Sequence, residues 1–376
     1  MSPRRLLLHV FSTFAVGGPQ VRFCAMANRF GPDLGHVDWR HDIVAMDGNT
    51  ACRERLHPDV PAAFPAIDRR KGDTLGNVRR FRRALRALRP DVLVTYNWGA
   101  IEWAMANAFA GVPHVHVEDG FGPEERARQI PRRVLLRRLL LRRAKVVLPS
   151  LTLLRVATET WRLDPRRLRH IPNGIDLTSF APAARTPFPP NESVHDDGAP
   201  NDGPVIGTVA ALRPEKNLGR LLRAFALVPH GTARLVVVGD GPERAALEAL
   251  ARTLGVAGRV RFAGHMADPR RAYRGFDLFA MSSDTEQMPL AVLEAMASGL
   301  PVAATNVGDI AAMLAEANRP YVTPLEDTAL AAALAGLLDR PTLRRELGEA
   351  NRDRVGREYD QAAMLRAYAG LFAASG

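Results

Sequence analysis

Residues 282–301 read Ser-Ser-Asp-Thr-Glu-Gln-Met-Pro-Leu-Ala-Val-Leu-Glu-Ala-Met-Ala-Ser-Gly-Leu-Pro, and the fold turns on this stretch. A strand-like run, Phe276 to Met281, leads into a polar corner that becomes helical from about Pro289. Proline suits a first helical turn, where its missing N–H has no intrahelical partner to lose. The amides of Gln287, Met288 and Leu290 then face outward from a positive helix end, which binds phosphate. Leu290, Leu293, Met296 and Ala297 recur at helical spacing and form a core stripe. Glu294, about 100° from Leu293 on the wheel, reaches the rim, and Glu286 stands eight positions earlier in the turn. Two glutamates at such a spacing are commonplace on a helix surface. Here the pair straddles a strand-turn-helix and runs on through Ala-Ser-Gly-Leu-Pro into a second buried strand, Val302 to Thr305.

The same strand-turn-helix rhythm extends outward. Val205 to Ala210 is a strand followed by Leu-Arg-Pro-Glu-Lys-Asn-Leu, where Arg213 and Lys216 stand at a helix mouth able to hold a diphosphate. Lysine occurs only at Lys71, Lys145 and Lys216 among 51 cations, so a lysine at this position is selective. Strands from Leu235 to Gly239 and Val260 to Ala263 end in further turns, the second followed by Gly264-His265-Met266. In the first half, a strand from Arg4 to Val10 precedes Gly17-Gly18, where the backbone can turn sharply beside a ligand. Strands at Asp91 to Thr95 and Pro113 to Val117 run into Tyr96-Asn97 and Glu118-Asp119. Polar groups at the C-terminal ends of parallel strands face the ligand crevice. Asn97, His116, Glu118 and Asp119, with Gly18, are therefore candidates for one substrate. A buried structural His116 is the competing account.

Length, charge and cysteine content bound what such a chain does. At 376 residues it exceeds the size of one hydrophobic core, so two domains are expected. Residues 1–190 hold 31 Lys and Arg against 17 Asp and Glu, whereas the remainder holds 20 against 23. The first half should attract an anionic partner. With 6% aromatic residues and no recognisable nucleic-acid module, a membrane surface is favoured over nucleic acid. Residues 75–89 form an amphipathic helix with Leu75, Val78, Phe81, Ala84, Leu85 and Leu88 on one side. Arg79, Arg80, Arg82, Arg83, Arg86 and Arg89 occupy the other. Residues 131–145, with Arg pairs spread around the wheel, are a secondary membrane candidate. The apolar run after Arg4-Arg5 is interrupted by His9 and reads as a strand rather than a leader. No apolar stretch reaches the ~18 residues that span a bilayer. Cys24 and Cys52 match no metal or disulfide spacing, which suits a reducing cytoplasm.

Taken together, Gly17-Gly18, Asn173-Gly174-Ile-Asp, Arg213-x-x-Lys216-Asn and Glu286-x7-Glu294 resemble the retaining GT-B glycosyltransferases of family 4, of the bacterial surface or exopolysaccharide type. The resemblance implies two Rossmann-like α/β domains facing a central cleft, with a C-terminal helix crossing back to the first. It places an acceptor domain at 1–180, a linker at 181–204, a nucleotide-sugar domain at 205–352 and the returning helix at 353–376. It implies retaining transfer of a sugar from a UDP- or GDP-sugar to a lipid-linked or saccharide acceptor. Lys216 and Arg213 would hold the diphosphate, Glu286 the donor sugar, and Glu294 the ribose hydroxyls. Gly17 and Gly18 would face the reacting phosphate, with His116 as a further active-site group. Gly239 would help bind the donor, backbone groups of Gly264-His265-Met266 would receive the base, and Met288, Pro289 and Leu290 would form the phosphate cradle. The family's usual glycine after the first glutamate is replaced by Gln287, beside the sugar pocket. There is no Asp-x-Asp, so no metal or other cofactor is expected. The implied location is cytoplasmic, peripheral on the inner membrane face. A same-fold epimerase or phosphorylase, or a silent nucleotide-sugar binder, are the alternatives, the last expected to show a broken phosphate site.

Overall fold

A computed structural model describes residues 4–30, 38–125, 128–182 and 203–375. Most of the expected linker, residues 183–202, lies outside them. The chain divides into two compact units, residues 1–173 with 362–376, and 174–361.

The first unit is built on a seven-stranded sheet of β1 (Arg5–Phe11), β2 (Trp39–Ala45), β3 (Ala62–Ala63), β4 (Val92–Tyr96), β5 (His114–Val117), β6 (Lys145–Leu148) and β7 (Leu168–His170). Its helices are α1 (Gly18–Arg29), α2 (Thr74–Leu88), α3 (Ile101–Asn107), α4 (Pro131–Leu140) and α5 (Leu151–Glu159). The strand order is β3-β2-β1-β4-β5-β6-β7 and every pairing is parallel. Strands buried on both faces read as runs such as Leu6-Leu-Leu-His-Val and Val92-Leu-Val, which is why they are legible as strands.

The second unit carries β8 (Val205–Val209), β9 (Arg234–Val238), β10 (Val260–Gly264), β11 (Leu278–Met281), β12 (Val302–Thr305) and β13 (Val322–Thr323). Around them lie α6 (Leu218–Leu227), α7 (Arg244–Thr253), α8 (Arg270–Tyr273), α9 (Leu290–Ala297), α10 (Ile310–Met313), α11 (Asp327–Leu338) and α12 (Pro341–Glu358). The order β10-β9-β8-β11-β12-β13 is again wholly parallel. In both sheets the winding reverses once, between β1 and β4 and between β8 and β11. A crevice opens at the C-terminal strand ends on such a reversal.

The last helix, α13 (Gln361–Ala373), belongs to the first unit but for its first residue. Met364, Leu365, Tyr368, Leu371 and Phe372 enter that unit's core with Phe11, Phe23 and Trp39. Arg5 and Lys145 donate to the carbonyls of Ala373 and Ala374 at its C-terminus. The return to the first unit thus begins after α12, at residue 362, rather than at 353. Residues 174–180 go with the second unit, not the first. There the Ile175 amide bonds the Tyr359 carbonyl and the Gln361 amide bonds the Ile175 carbonyl. A Cβ on Gly174 would stand 2.7 Å from the Gln361 Cα, so glycine is needed.

Candidate functional site

At the reversal point of the second sheet, two loops meet. The loop after β8 runs through Arg213 to a short 3-10 turn, Pro214–Lys216, ended by Asn217 at φ 41° and ψ 50°. Asparagine tolerates this left-handed backbone better than most residues. The Asn217 side chain also accepts from the Arg220 amide at the start of α6. Its amide nitrogen donates to both oxygens of Asp284, in the loop after β11. Arg220, nearly buried, donates to Asp284 Oδ1 at 2.7 Å and to the Ser282 carbonyl at 2.8 Å. The Asp284 amide bonds the Glu215 carbonyl, and Ser282 Oγ bonds that of Lys216. Ser282 and Asp284, sixty to seventy positions away in the chain, are thereby stitched to the lysine loop and the start of α6.

That stitching brings Lys216 Nζ to 2.5 Å from Glu286 Oε1, which also accepts from Ser283 Oγ at 2.8 Å. The Lys216 side chain is 25% exposed and that of Glu286 10%. A charge-assisted pair of this kind, at the rim of the crevice, presents a cation and a carboxylate together to an incoming polar molecule. Gly308, at φ 57°, lies behind the turn. A Cβ there would fall 2.3 Å from the Glu286 carbonyl oxygen, and the Asp309 amide bonds the Gln287 carbonyl. Gly308, Asp284 and Arg220 support the glutamate turn, and no local pattern in the sequence marks them.

Glu294 projects from α9, where Tyr273 donates its hydroxyl to Oε2 at 2.6 Å. Burial, then the Glu294 charge, raises the Tyr273 phenol well above its usual range, so it remains a donor. Pro289 is the cap of α9 (ψ 127°) rather than a residue of its first turn. The helix is buried almost all round, including Val292 and Ala295, and Leu290 at its mouth is only partly buried. The wheel stripe was thus too narrow, because a helix lying between a sheet and α12 buries both flanks. Met288 is buried, and Gln287 is half-buried.

Arg213 is exposed and is not drawn to Glu286. It lines a depression of about 320 Å³ with Asn217, Arg223 and Glu243 over Leu247 and Leu250. On the neighbouring strands, Gly239 at φ 130° is obligatory, since a Cβ would meet the Ala210 carbonyl at 1.9 Å. The Gly239 amide bonds the Gly264 carbonyl, while His265 is exposed and Met266 packs into the core.

In the first unit the reversal point brings together the loop Ser12–Gly17 and the turn at Asn97. Gly17 is extended and precedes α1, where Gly18 and Pro19 open the helix. Asn97 has φ 55° and ψ 179°, a backbone region that is essentially glycine's. Its Oδ1 accepts from the Asp119 amide at 2.6 Å. Asp119 is engaged by Arg22 through two bonds of 2.6 and 3.0 Å, and Arg22 also reaches Asn173. Asp119 is thus an ion-pair partner at the crevice edge.

His116 and Glu118 are placed differently from the expectation of an open acceptor side, for both are fully buried. His116 Nδ1 meets Thr95 Oγ1 at 2.8 Å, and its Nε2 lies 3.4 Å from Glu118 Oε2. Glu118 takes the Nε of buried Arg137, whose other nitrogens bind Glu125. Arg137 lies on α4 among Trp98, Phe121 and Trp161. Along α4, Arg133 also turns inward, pairing with Glu124 and Glu125, while Leu135 and Leu139 are exposed. Two buried carboxylates, invisible to wheel geometry, draw the arginines to the inside.

On α2, Asp73 caps the helix and Phe81 stacks on Trp103. Arg79, Arg83 and Arg86 are exposed, Arg80 pairs with Asp73, and Arg82 lies over Phe109. Leu75, expected on the buried side, is 77% exposed. Among the described residues no helix is long and apolar enough to cross a membrane.

Residues 16–179 match the family described as Glycosyltransferase Family 4, and residues 191–354 match Glycosyl transferases group 1. A GDP-mannose-dependent alpha-mannosyltransferase of Mycobacterium tuberculosis is 37% identical over 142 residues, 38% of this chain and 34% of the relative. D-inositol 3-phosphate glycosyltransferase 2 of Catenulispora acidiphila is 36% identical over 210 residues, 51% of this chain and 48% of the relative. The matches thus span a third to a half of these relatives' length. Anabaena HepE in complex with UDP-glucose superposes with a TM-score of 0.78 at 19% identity, covering 98% of this chain and 99% of that one.

Proposed function

We propose that this chain, which has the GT-B fold and carries a family 4 domain followed by a group 1 domain, is a glycosyltransferase using a nucleotide diphospho-sugar donor. The observation that carries the reading is the pairing of Lys216 with Glu286 at the sheet reversal, beside the start of α9 and the Tyr273-supported Glu294. In the proposed reaction Lys216, with Arg213, offsets the charge that grows on the departing diphosphate. Pre-set charges aimed at a developing charge are often the largest contribution to catalysis. The Lys216–Glu286 bond opens as phosphate takes the ammonium, which frees Glu286 for a hydroxyl of the donor sugar. Glu294, steadied by Tyr273, receives the ribose hydroxyls. Gln287 stands where the family has glycine and narrows the range of sugars admitted. The amino-terminal unit takes the acceptor, for which the Gly17-Gly18 loop and Asn97 are the best-placed groups.

The finer reading includes retention of configuration, no bound metal, and a lipid-linked or saccharide acceptor reached from an anionic membrane surface on the cytoplasmic side. Exposed Arg79, Arg83 and Arg86 on α2, beside the exposed rings and chains of Phe109 and Leu75, support the surface contact. Screening UDP- and GDP-sugars for thermal stabilisation and slow hydrolysis tests the core of the proposal. A bound donor should stabilise by roughly 2.7 kcal/mol at a hundred times its dissociation constant. A silent response to every nucleotide sugar would overturn it.

A further inference from the structure

The chain has two cysteines in 376 residues, and the fold brings them together. A buried residue touches about ten others, so two cysteines placed at random would meet in roughly one chain in forty. Cys24 is on α1 and Cys52 in the 3-10 turn Ala51–Arg55. Their sulfurs are 3.7 Å apart, and Cys24 Sγ is 3.5 Å from the Cys52 carbonyl. Neither is more than 2% exposed.

Their surroundings connect them to the Gly17-Gly18 loop. The Phe14 amide bonds the Asn49 carbonyl and the Cys52 amide bonds the Phe14 carbonyl, while the Asp47 amide bonds that of Ser12. The segment 47–52 therefore holds the loop from one side, and Cys24 sits on the helix that leaves it. The bland alternative is two small apolar side chains packed in the core with Phe14 and Phe23.

We propose that Cys24 and Cys52 are a modification site: a reversible intramolecular disulfide formed with a two-electron oxidant of the peroxide class. The Cys52 thiolate attacks one peroxide oxygen, the O–O bond breaks, and hydroxide leaves, giving a sulfenic acid. Cys24 sulfur then attacks the sulfenic sulfur. The S–S bond forms, and the departing hydroxide takes the Cys24 proton as water. The order of roles follows the environments. The hydrogen bond from Cys24 holds the Cys52 thiol below its ordinary range against the opposing effect of burial, with help from Arg55. Its bond to Cys52 and then burial raise the Cys24 thiol. A dithiol reverses the reaction by two exchanges. The cross-link closes a loop over residues 24–52 and fixes α1 to the segment holding Ser12–Phe14, which stiffens the Gly17-Gly18 turn. That functional consequence rests on the transferase reading; the disulfide itself does not.

The test is intact mass of the full chain after hydrogen peroxide, with denaturation in a maleimide to trap remaining thiols. The expected product has lost two hydrogens, carries no maleimide, regains both thiols in dithiothreitol, and melts on the order of 5 °C higher. Two maleimides after treatment, addition of one or more oxygens without cross-linking, or disulfide-linked dimers would each overturn the proposal. Cys24→Ser and Cys52→Ala each abolish the two-hydrogen loss if it arises from this pair. If either variant fails to fold, the wild-type mass decides alone. Absence of donor binding both before and after treatment, with a normal mass shift, would count against the transferase reading only.

Discussion

Replacing Lys216 by Ala removes the charged partner that Glu286 has within hydrogen-bond distance among the described residues and, in the proposed reaction, the ammonium that meets the diphosphate. Two separate magnitudes follow. For the folded protein, the pair lies between an exposed pair, about 0.2–1 kcal/mol, and a fully buried one, about 3–5 kcal/mol when one partner is removed. With side chains 25% and 10% exposed, and Ser283 still donating to the orphaned carboxylate, a loss of about 1–2 kcal/mol is expected. Asn217, Arg220 and Asp284 keep the loops in place, so the variant stays folded. For turnover, removing a donor that strengthens as charge develops costs about a hundredfold or more. A steady-state assay of nucleotide diphosphate release with saturating donor separates the two effects, because a merely unstable protein loses active fraction on warming while keeping its rate per folded molecule. Near-normal turnover of Lys216→Ala at saturating donor refutes the assigned role.

Other outcomes are expected. Glu294→Ala weakens binding of bare nucleotide diphosphate by calorimetry, whereas Glu286→Ala leaves that binding nearly intact and lowers transfer; equal losses in both would erase the distinction. Burial pushes His41 down to about 4, and burial with its His116 neighbour pushes His114 down to about 3. The unfolded chain therefore takes up these protons first, so stability is full above about pH 6.5 and falls towards pH 4. Thermal melts across that window should show the slope, and His41→Leu should flatten it; an unchanged slope removes His41 from the account. The full chain should sediment with anionic but not neutral vesicles at low salt and leave them at high salt, since each surface arginine contributes about 1 kcal/mol. Replacing Arg79, Arg82, Arg83 and Arg86 by Gln should weaken this attachment, and unchanged sedimentation sets the α2 face aside.

Much of the molecule was legible from residues alone. Buried parallel strands announce themselves as short runs of Val, Leu and Ile, so β1, β4, β8, β9 and β11 were found within a residue or two. The signature Arg213-x-x-Lys216-Asn is likewise local: a proline-opened turn, a left-handed asparagine and a helix cap all follow from residue types at fixed spacing. What periodicity could not show is which distant loops meet. That Asp284 and Arg220 lock the lysine loop to the glutamate turn depends on strand order, because only the reversal between β8 and β11 makes neighbours of residues more than sixty positions apart. His116 followed the general rule for strand ends, but it sits inside β5, two strands from β1 and one from β4, so the sheet buries it against Thr95 and Glu118. The arginines of α4 turned inward for the same kind of reason: Glu118 and Glu125 lie in the core, and a buried carboxylate outweighs a helix's preference for keeping leucine inside. Cys24 and Cys52 gave no spacing to read, and their contact exists only once α1 and the Ala51–Arg55 turn pack on the same side of the sheet. Local sequence set the elements and their caps; the partners of each charged and sulfur-bearing side chain were decided by topology, because the energies that pair them act through space and not along the chain.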